Sequence, residues 1–163
     1  MKYDKPFKFN IIKFNDARGF LGELHSKKKI NLNFNHSIIS SSKKNVIRGL
    51  HFRKKPEYKI LCIIKGEIKD FCINLKTKKI FEFTLKEYQC LMIPPGYAHG
   101  YECYKKENII IYFLSWPYNH RLQSGIYFKD KNLNIKWTIK KPILSKRDKN
   151  LSSFNEILQK KFY

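Results

Sequence analysis

The stretch "VIRGLHFRKKPEYKIL", residues 46–61, sets an arginine, a histidine and a lysine among residues that belong in a packed sheet. Val46, Ile47, Leu50, Phe52, Ile60 and Leu61 favour strands and burial. Arg48, His51 and Lys59 do not, unless they face a cavity that has a use for them. Similar polar residues recur elsewhere: Arg18 in "NDARGFLGE", His99 in "IPPGYAHG", Tyr112 inside "NIIIYFLSW" and Asp148 at the end of "LSKRD". An imidazole exchanges protons near neutral pH, and a carboxylate partner steadies its charged form. A fixed lysine charge acts on developing negative charge, and arginine forks suit phosphate groups. These residues can act together only if the fold brings them to one cavity.

One geometric tension stands against that convergence. Strict alternation along a strand puts Arg48 and His51 on opposite faces. Both reach one pocket only if Gly49 marks a bulge, or if a ligand extends around an edge. The spacing therefore predicts a break in the ladder at Gly49.

The elements that must hold these residues are mostly short strands. "FKFNIIKF", "NHSIIS", "VIRGLHF", "YKILCIIKG", "EIKDFCINL", "IFEFTL" and "QCLMIPPGYAHGYEC" follow one another with turn residues between them. Gly66-Glu67 reads as a tight hairpin connection, and "SSSKKN" as a surface loop. "NIIIYFLSW" is apolar throughout, as in a strand covered on both faces. One helix is expected near the C-terminus, where Ser153 and Glu156 have capping-box spacing and Phe154, Ile157, Leu158 and Phe162 form a helical stripe. The pattern predicts an all-β sandwich or barrel with a short C-terminal helix, as one domain over residues 1–163.

Composition bounds the rest. The 163 residues include 15% aromatics and contain no run of eighteen apolar residues, so no membrane span is expected. "MKYDKPFKFN" lacks a signal-peptide core, which makes the cytoplasm the default location. Cys62, Cys72, Cys90 and Cys103 show no zinc-ligand spacing, and Cys62 and Cys72 sit in apolar runs as small hydrophobes do. The net charge of +21 suggests anionic partners. Its lysines are scattered among Ile and Asn, however, as an AT-rich coding sequence would also produce.

The words "DARGFLGEL", "RGLHF", "IPPGYAHGY", "IYFLSWPY" and the aspartate of "LSKRD" resemble, in order and spacing, the dTDP-4-dehydrorhamnose 3,5-epimerases. These are cofactor-free cupins acting on nucleotide 4-keto sugars, so the resemblance implies a cupin-type jelly roll with no metal and no organic cofactor. It implies that His51 is the general base held by Asp148, that Tyr112 is the catalytic tyrosine on the opposite face of the sugar, and that Lys59 stabilises the enolate oxygen. It further implies substrate contacts from Arg18, Phe20, Glu23, His36, Arg48, His99 and Tyr118. Its dimer has an N-terminal segment that completes the partner's site, which implies a homodimer here.

Departures from the family pattern fall at recognition positions. His36 and Ile38 in "HSIISSS" replace a usual glutamine and asparagine, Arg53 and Glu57 replace two glutamines, and Phe128 replaces a tryptophan. These changes favour the same reaction on a different nucleotide sugar, with a GDP-linked 4-keto heptose or hexose ahead of the dTDP-linked one, in bacterial surface polysaccharide biosynthesis. Inversion at C3 alone is the alternative. A metal-dependent cupin would use His51, Glu57 and His99, but Arg53 stands where its second histidine ligand would be. The same substitution weighs against a 3,4-ketoisomerase. A nucleic-acid-binding barrel would account for the charge but not for the placement of His51, Tyr112 and Asp148.

Overall fold

The computed structural model describes residues 3–160, so Phe162 of the expected helical stripe lies outside the described residues. In chain order the strands are β1 (Phe7–Asn10), β2 (Ile12–Asp16), β3 (Gly19–Glu23), β4 (His36–Lys43), β5 (Ile47–Arg53) and β6 (Lys59–Lys65). They continue with β7 (Glu67–Asn74), β8 (Ile80–Lys86), β9 (Gln89–Ile93), β10 (Tyr97–Cys103), β11 (Glu107–Leu114) and β12 (Gln123–Gly125). Two short helices follow, α1 (Lys146–Lys149) and α2 (Phe154–Gln159). Sheet one has the order β1-β9-β6-β11-β4 and sheet two the order β12-β5-β10-β7-β8, with β2-β3 a separate two-stranded arm. All the strand pairings are antiparallel, and the jelly-roll sandwich expected from the sequence is what forms.

The apolar residues explain why the sheets stack. Leu61, Ile63, Leu91 and Ile110 of sheet one meet Ile68, Cys72, Leu85 and Tyr101 of sheet two in a common core. Each sheet's outer face is covered as well. Ile11, Ile30 and Phe34 pack on Ile60, Cys62, Cys90 and Met92 of sheet one. Ile126, Leu133, Phe154 and Ile157 pack on Leu50, Phe52, Phe71 and Ile73 of sheet two. Strands buried on both faces need apolar residues at successive positions, which is why "KILCII" and "DFCIN" do not alternate. Each fully buried Ile or Leu contributes about 1.5–3 kcal/mol. β11 is less evenly covered than its sequence suggests: Ile110, Tyr112 and Leu114 are buried, while Ile109, Ile111 and Phe113 are half-buried. All four cysteines are buried and unbridged.

Two local expectations change. Gly66-Glu67 is not a hairpin, because β6 belongs to sheet one and β7 to sheet two. The chain turns a corner between sheets there. Gly66 has φ +96°, and a Cβ on it would stand 2.5 Å from Asn108 Oδ1. That buried Asn108 side chain accepts the Glu67 N–H and closes the corner. The serines of "SSSKKN" are not loop residues either. Ser40, Ser41 and Ser42 lie within β4, paired with Ile110, Ile109 and Asn108 of β11. At the other end, α2 carries the expected capping box between Ser153 and Glu156.

Candidate active site

A cavity of about 300 Å³ opens between the sheets, lined by Ser40, Arg48, His51, Lys59, His99 and Tyr112, among others. Its convergence depends on a bulge. His51 pairs with His99 and Arg48 with Tyr101, so three steps along β5 match two along β10. The register shift turns both Arg48 and His51 towards the cavity, where strict alternation would have separated them. Gly49 sits at the shift with φ +131° and touches Gly100.

His51 Nε2 lies 2.6 Å from Asp148 Oδ1. Asp148 comes from α1, whose N-cap Ser145 accepts the Asp148 N–H. Burial opposes ionisation of this carboxyl, but the His51 ring, the Ser145 hydroxyl and the Gly49 amide together hold it below the usual carboxylate range. The carboxylate fixes the orientation of the His51 ring, as a general base requires.

Lys59 Nζ reaches His99 Nε2 at 3.1 Å, and His99 Nδ1 reaches Asp70 Oδ2 at 3.0 Å. Burial lowers the Lys59 pKa, against the pull of Glu57 and Asp70. Burial and then the Lys59 charge lower the His99 pKa. A neutral His99 that donates from Nδ1 to Asp70 and accepts at Nε2 from Lys59 fits both contacts. Asp70 is fully buried and was missed in the sequence because "KDFCIN" gives no sign that its aspartate turns inward.

Tyr112 and Tyr101 share a hydrogen bond of 2.7 Å between their hydroxyls, and Ser40 Oγ lies 3.4 Å from each. Burial pushes both phenols above their ordinary pKa, Tyr112 well above it. Arg48 donates to Ser42 Oγ at 2.9 Å and to the Ser41 carbonyl at 3.1 Å, which fixes its stem on β4. Tyr101, Ser40 and Ser42 were likewise not legible: they look like a core tyrosine and a polar loop. Tyr118 and the exposed Arg147 also line the cavity.

The remaining sequence candidates lie elsewhere. Arg18, Phe20 and Glu23 belong to the β2-β3 arm and do not reach the cavity of their own chain. Arg18 is 90% exposed and pairs with Asp16, while Phe20 packs edge-on against Tyr88. His36 opens β4 opposite Leu114 and is not among the cavity-lining residues. Phe128 is buried beside Trp137 rather than in the cavity. Among the described residues, no group of three or more His, Cys, Asp or Glu side chains is placed to hold a metal ion. Nor is any helix long and apolar enough to cross a membrane.

The profile of the dTDP-4-dehydrorhamnose 3,5-epimerase family matches residues 4–156. The chain belongs to that family. It is an isomerase-class sugar epimerase. The dTDP-4-dehydrorhamnose 3,5-epimerase of Shigella flexneri is 30% identical over 156 residues, which are 86% of each chain. That of Methanothermobacter thermautotrophicus is 28% identical over 162 residues, 88% of this chain and 86% of the relative. Among solved structures, the Bacillus anthracis dTDP-4-dehydrorhamnose 3,5-epimerase with TDP and PPi bound superposes with a TM-score of 0.85. It is 29% identical, over 91% of this chain and 93% of that one.

Proposed function

We propose that this epimerase inverts C3 and C5 of a nucleotide-diphosphate 4-keto sugar by proton transfer through an enolate. The observation that carries the reading is that His51, paired with Asp148, and Tyr112, paired with Tyr101, reach one cavity from opposite sheets, a cavity that also holds Lys59. His51 removes the proton beside the ketone, and Asp148 stabilises the imidazolium that forms. Lys59 donates to the C4 oxygen as negative charge develops there. Tyr112 stays a phenol because burial raises its pKa, so it has a proton to return on the other face of the sugar. Arg48 uses its Nε and one Nη on β4 and has further donors for the diphosphate. None of these steps calls for a metal or an organic cofactor.

The nucleotide is GDP in this reading, because Ile38 lines the cavity where the family pattern carries an asparagine. The sugar product feeds surface polysaccharide synthesis in the cytoplasm. The enzyme works as a homodimer in which the arm bearing Arg18, Phe20 and Glu23 completes the partner's site. Exposed Phe14, Phe20, Leu21 and Ile39 give that arm and the β4 edge apolar surface for such a contact. A C3-only reaction is the second reading, favoured by a Streptomyces niveus relative named dTDP-4-dehydrorhamnose 3-epimerase, 26% identical over 121 residues.

Incubation with GDP- and dTDP-linked 4-keto sugars in D₂O, followed by NMR of C3 and C5, tests the reading. Deuterium at both carbons, faster with GDP, is the expected result. Deuterium at C3 alone selects the second reading, and no exchange with either sugar rejects epimerisation.

A further inference from the structure

Glu57 is the group in the cavity wall that the proposed proton transfers leave without a task. Its side chain is 4% exposed, and Oε1 is buried with no hydrogen-bond partner. Arg53 Nε stands 3.5 Å from that oxygen, close enough for charge attraction but outside hydrogen-bond geometry. Such a carboxylate oxygen is costly to bury unless a donor arrives. Burial raises the Glu57 pKa against the charges of Lys59, Arg53 and His36.

Its surroundings say where the donor would come from. Glu57, Lys59 and His99 line both the 300 Å³ cavity and a space of about 20 Å³ that is also bounded by Arg53, Pro94 and Pro95. A space of that size takes one water or one hydroxyl group. It lies at the Lys59 end of the cavity, where the proposed mechanism puts the ketone.

We propose that Glu57 is a specificity-determining residue that accepts a hydrogen bond from a sugar hydroxyl beside the ketone. The inference rests on the nucleotide-sugar reading above. Two hydroxyls share the required chemistry: the one on C3, and one carried by the C5 substituent. A substrate that leaves this oxygen without a donor is rejected, because the buried acceptor remains unpaired in the complex.

The test compares kcat/KM for C–H exchange in D₂O across three 4-keto sugars on one nucleotide, with a C5 hydroxymethyl, a C5 methyl, or a C5 hydroxymethyl and no C3 hydroxyl. Wild-type enzyme is expected to prefer the hydroxylated partner of one pair by about a hundredfold. The pair showing the preference identifies the hydroxyl. Glu57→Leu should reduce that ratio to within about threefold by lowering activity on the preferred sugar alone. The near-isosteric Glu57→Gln keeps an acceptor oxygen and should preserve part of the ratio, which covers the case in which Glu57→Leu fails to fold. Equal losses on all three sugars would mean that Glu57 only supports Arg53, and would overturn the inference while exchange itself upheld the epimerase reading. Absence of exchange on every sugar would reject both.

Discussion

With one ring nitrogen hydrogen-bonded to Asp148, His51 has a single nitrogen left to take a proton. Replacing it by asparagine keeps a polar group near Asp148 but supplies no base. His51→Asn should lower deuterium exchange at both carbons by about a thousandfold, within the usual range for a general base, with the circular dichroism spectrum unchanged. Tyr112→Phe removes the proton donor yet leaves the first abstraction intact, so exchange at C3 should survive while full inversion, followed by coupling constants, falls by about a hundredfold. The His99 row predicts a stability profile. Burial holds the folded His99 pKa below its ordinary 6.5, so the unfolded chain binds the proton first. Its contribution is complete above about pH 6.5 and is lost as the pH falls towards the folded value. Melting temperatures between pH 8 and pH 5 should therefore drop more steeply for wild type than for His99→Asn.

The elements matter through their interruptions. β5 delivers both Arg48 and His51 because its pairing with β10 slips by one residue at Gly49. A Cβ at Gly49 would stand 2.4 Å from Gly100 Cα, at a φ of +131° that L residues rarely adopt. Gly49→Ala should cost about 2–5 kcal/mol in urea unfolding, from backbone strain plus overpacking. Its residual activity should fall further than stability alone explains, since restoring the ladder there would turn Arg48 or His51 away. β4 works similarly. Its serines look like a loop, yet Ser42 anchors the Arg48 guanidinium and Ser40 sits under the two phenols. One turn of helix, α1, then brings Asp148 across 97 residues of sequence to His51.

At the scale of the whole molecule, the arm β2-β3 has no place in the cavity of its own chain. If Arg18 completes a partner's site, a mixed dimer of Arg18→Ala and His51→Asn subunits holds one site with both defects and one with neither. Mixing two inactive variants under conditions that exchange subunits should then restore about one quarter of wild-type activity, given random pairing of a C₂ dimer. No recovery, with exchange confirmed by native mass spectrometry, would place each site within a single chain.

The sequence alone was enough for the all-β class, most of the strands, the capped C-terminal helix and the words that carry the family. Those signals are local: apolar strands, turn residues and a capping box act within a few positions. It also exposed the conflict at Gly49, because alternation along a strand is fixed by backbone geometry. Only the tertiary structure decided which sheet each strand joins, and so made Gly66 a corner rather than a hairpin. Only it placed Asp70 behind His99, Tyr101 against Tyr112 and Glu57, with an unpaired buried oxygen, in the cavity wall. Those partners lie far apart in sequence, and a side chain's facing is settled by long-range pairing and burial, which no short word encodes.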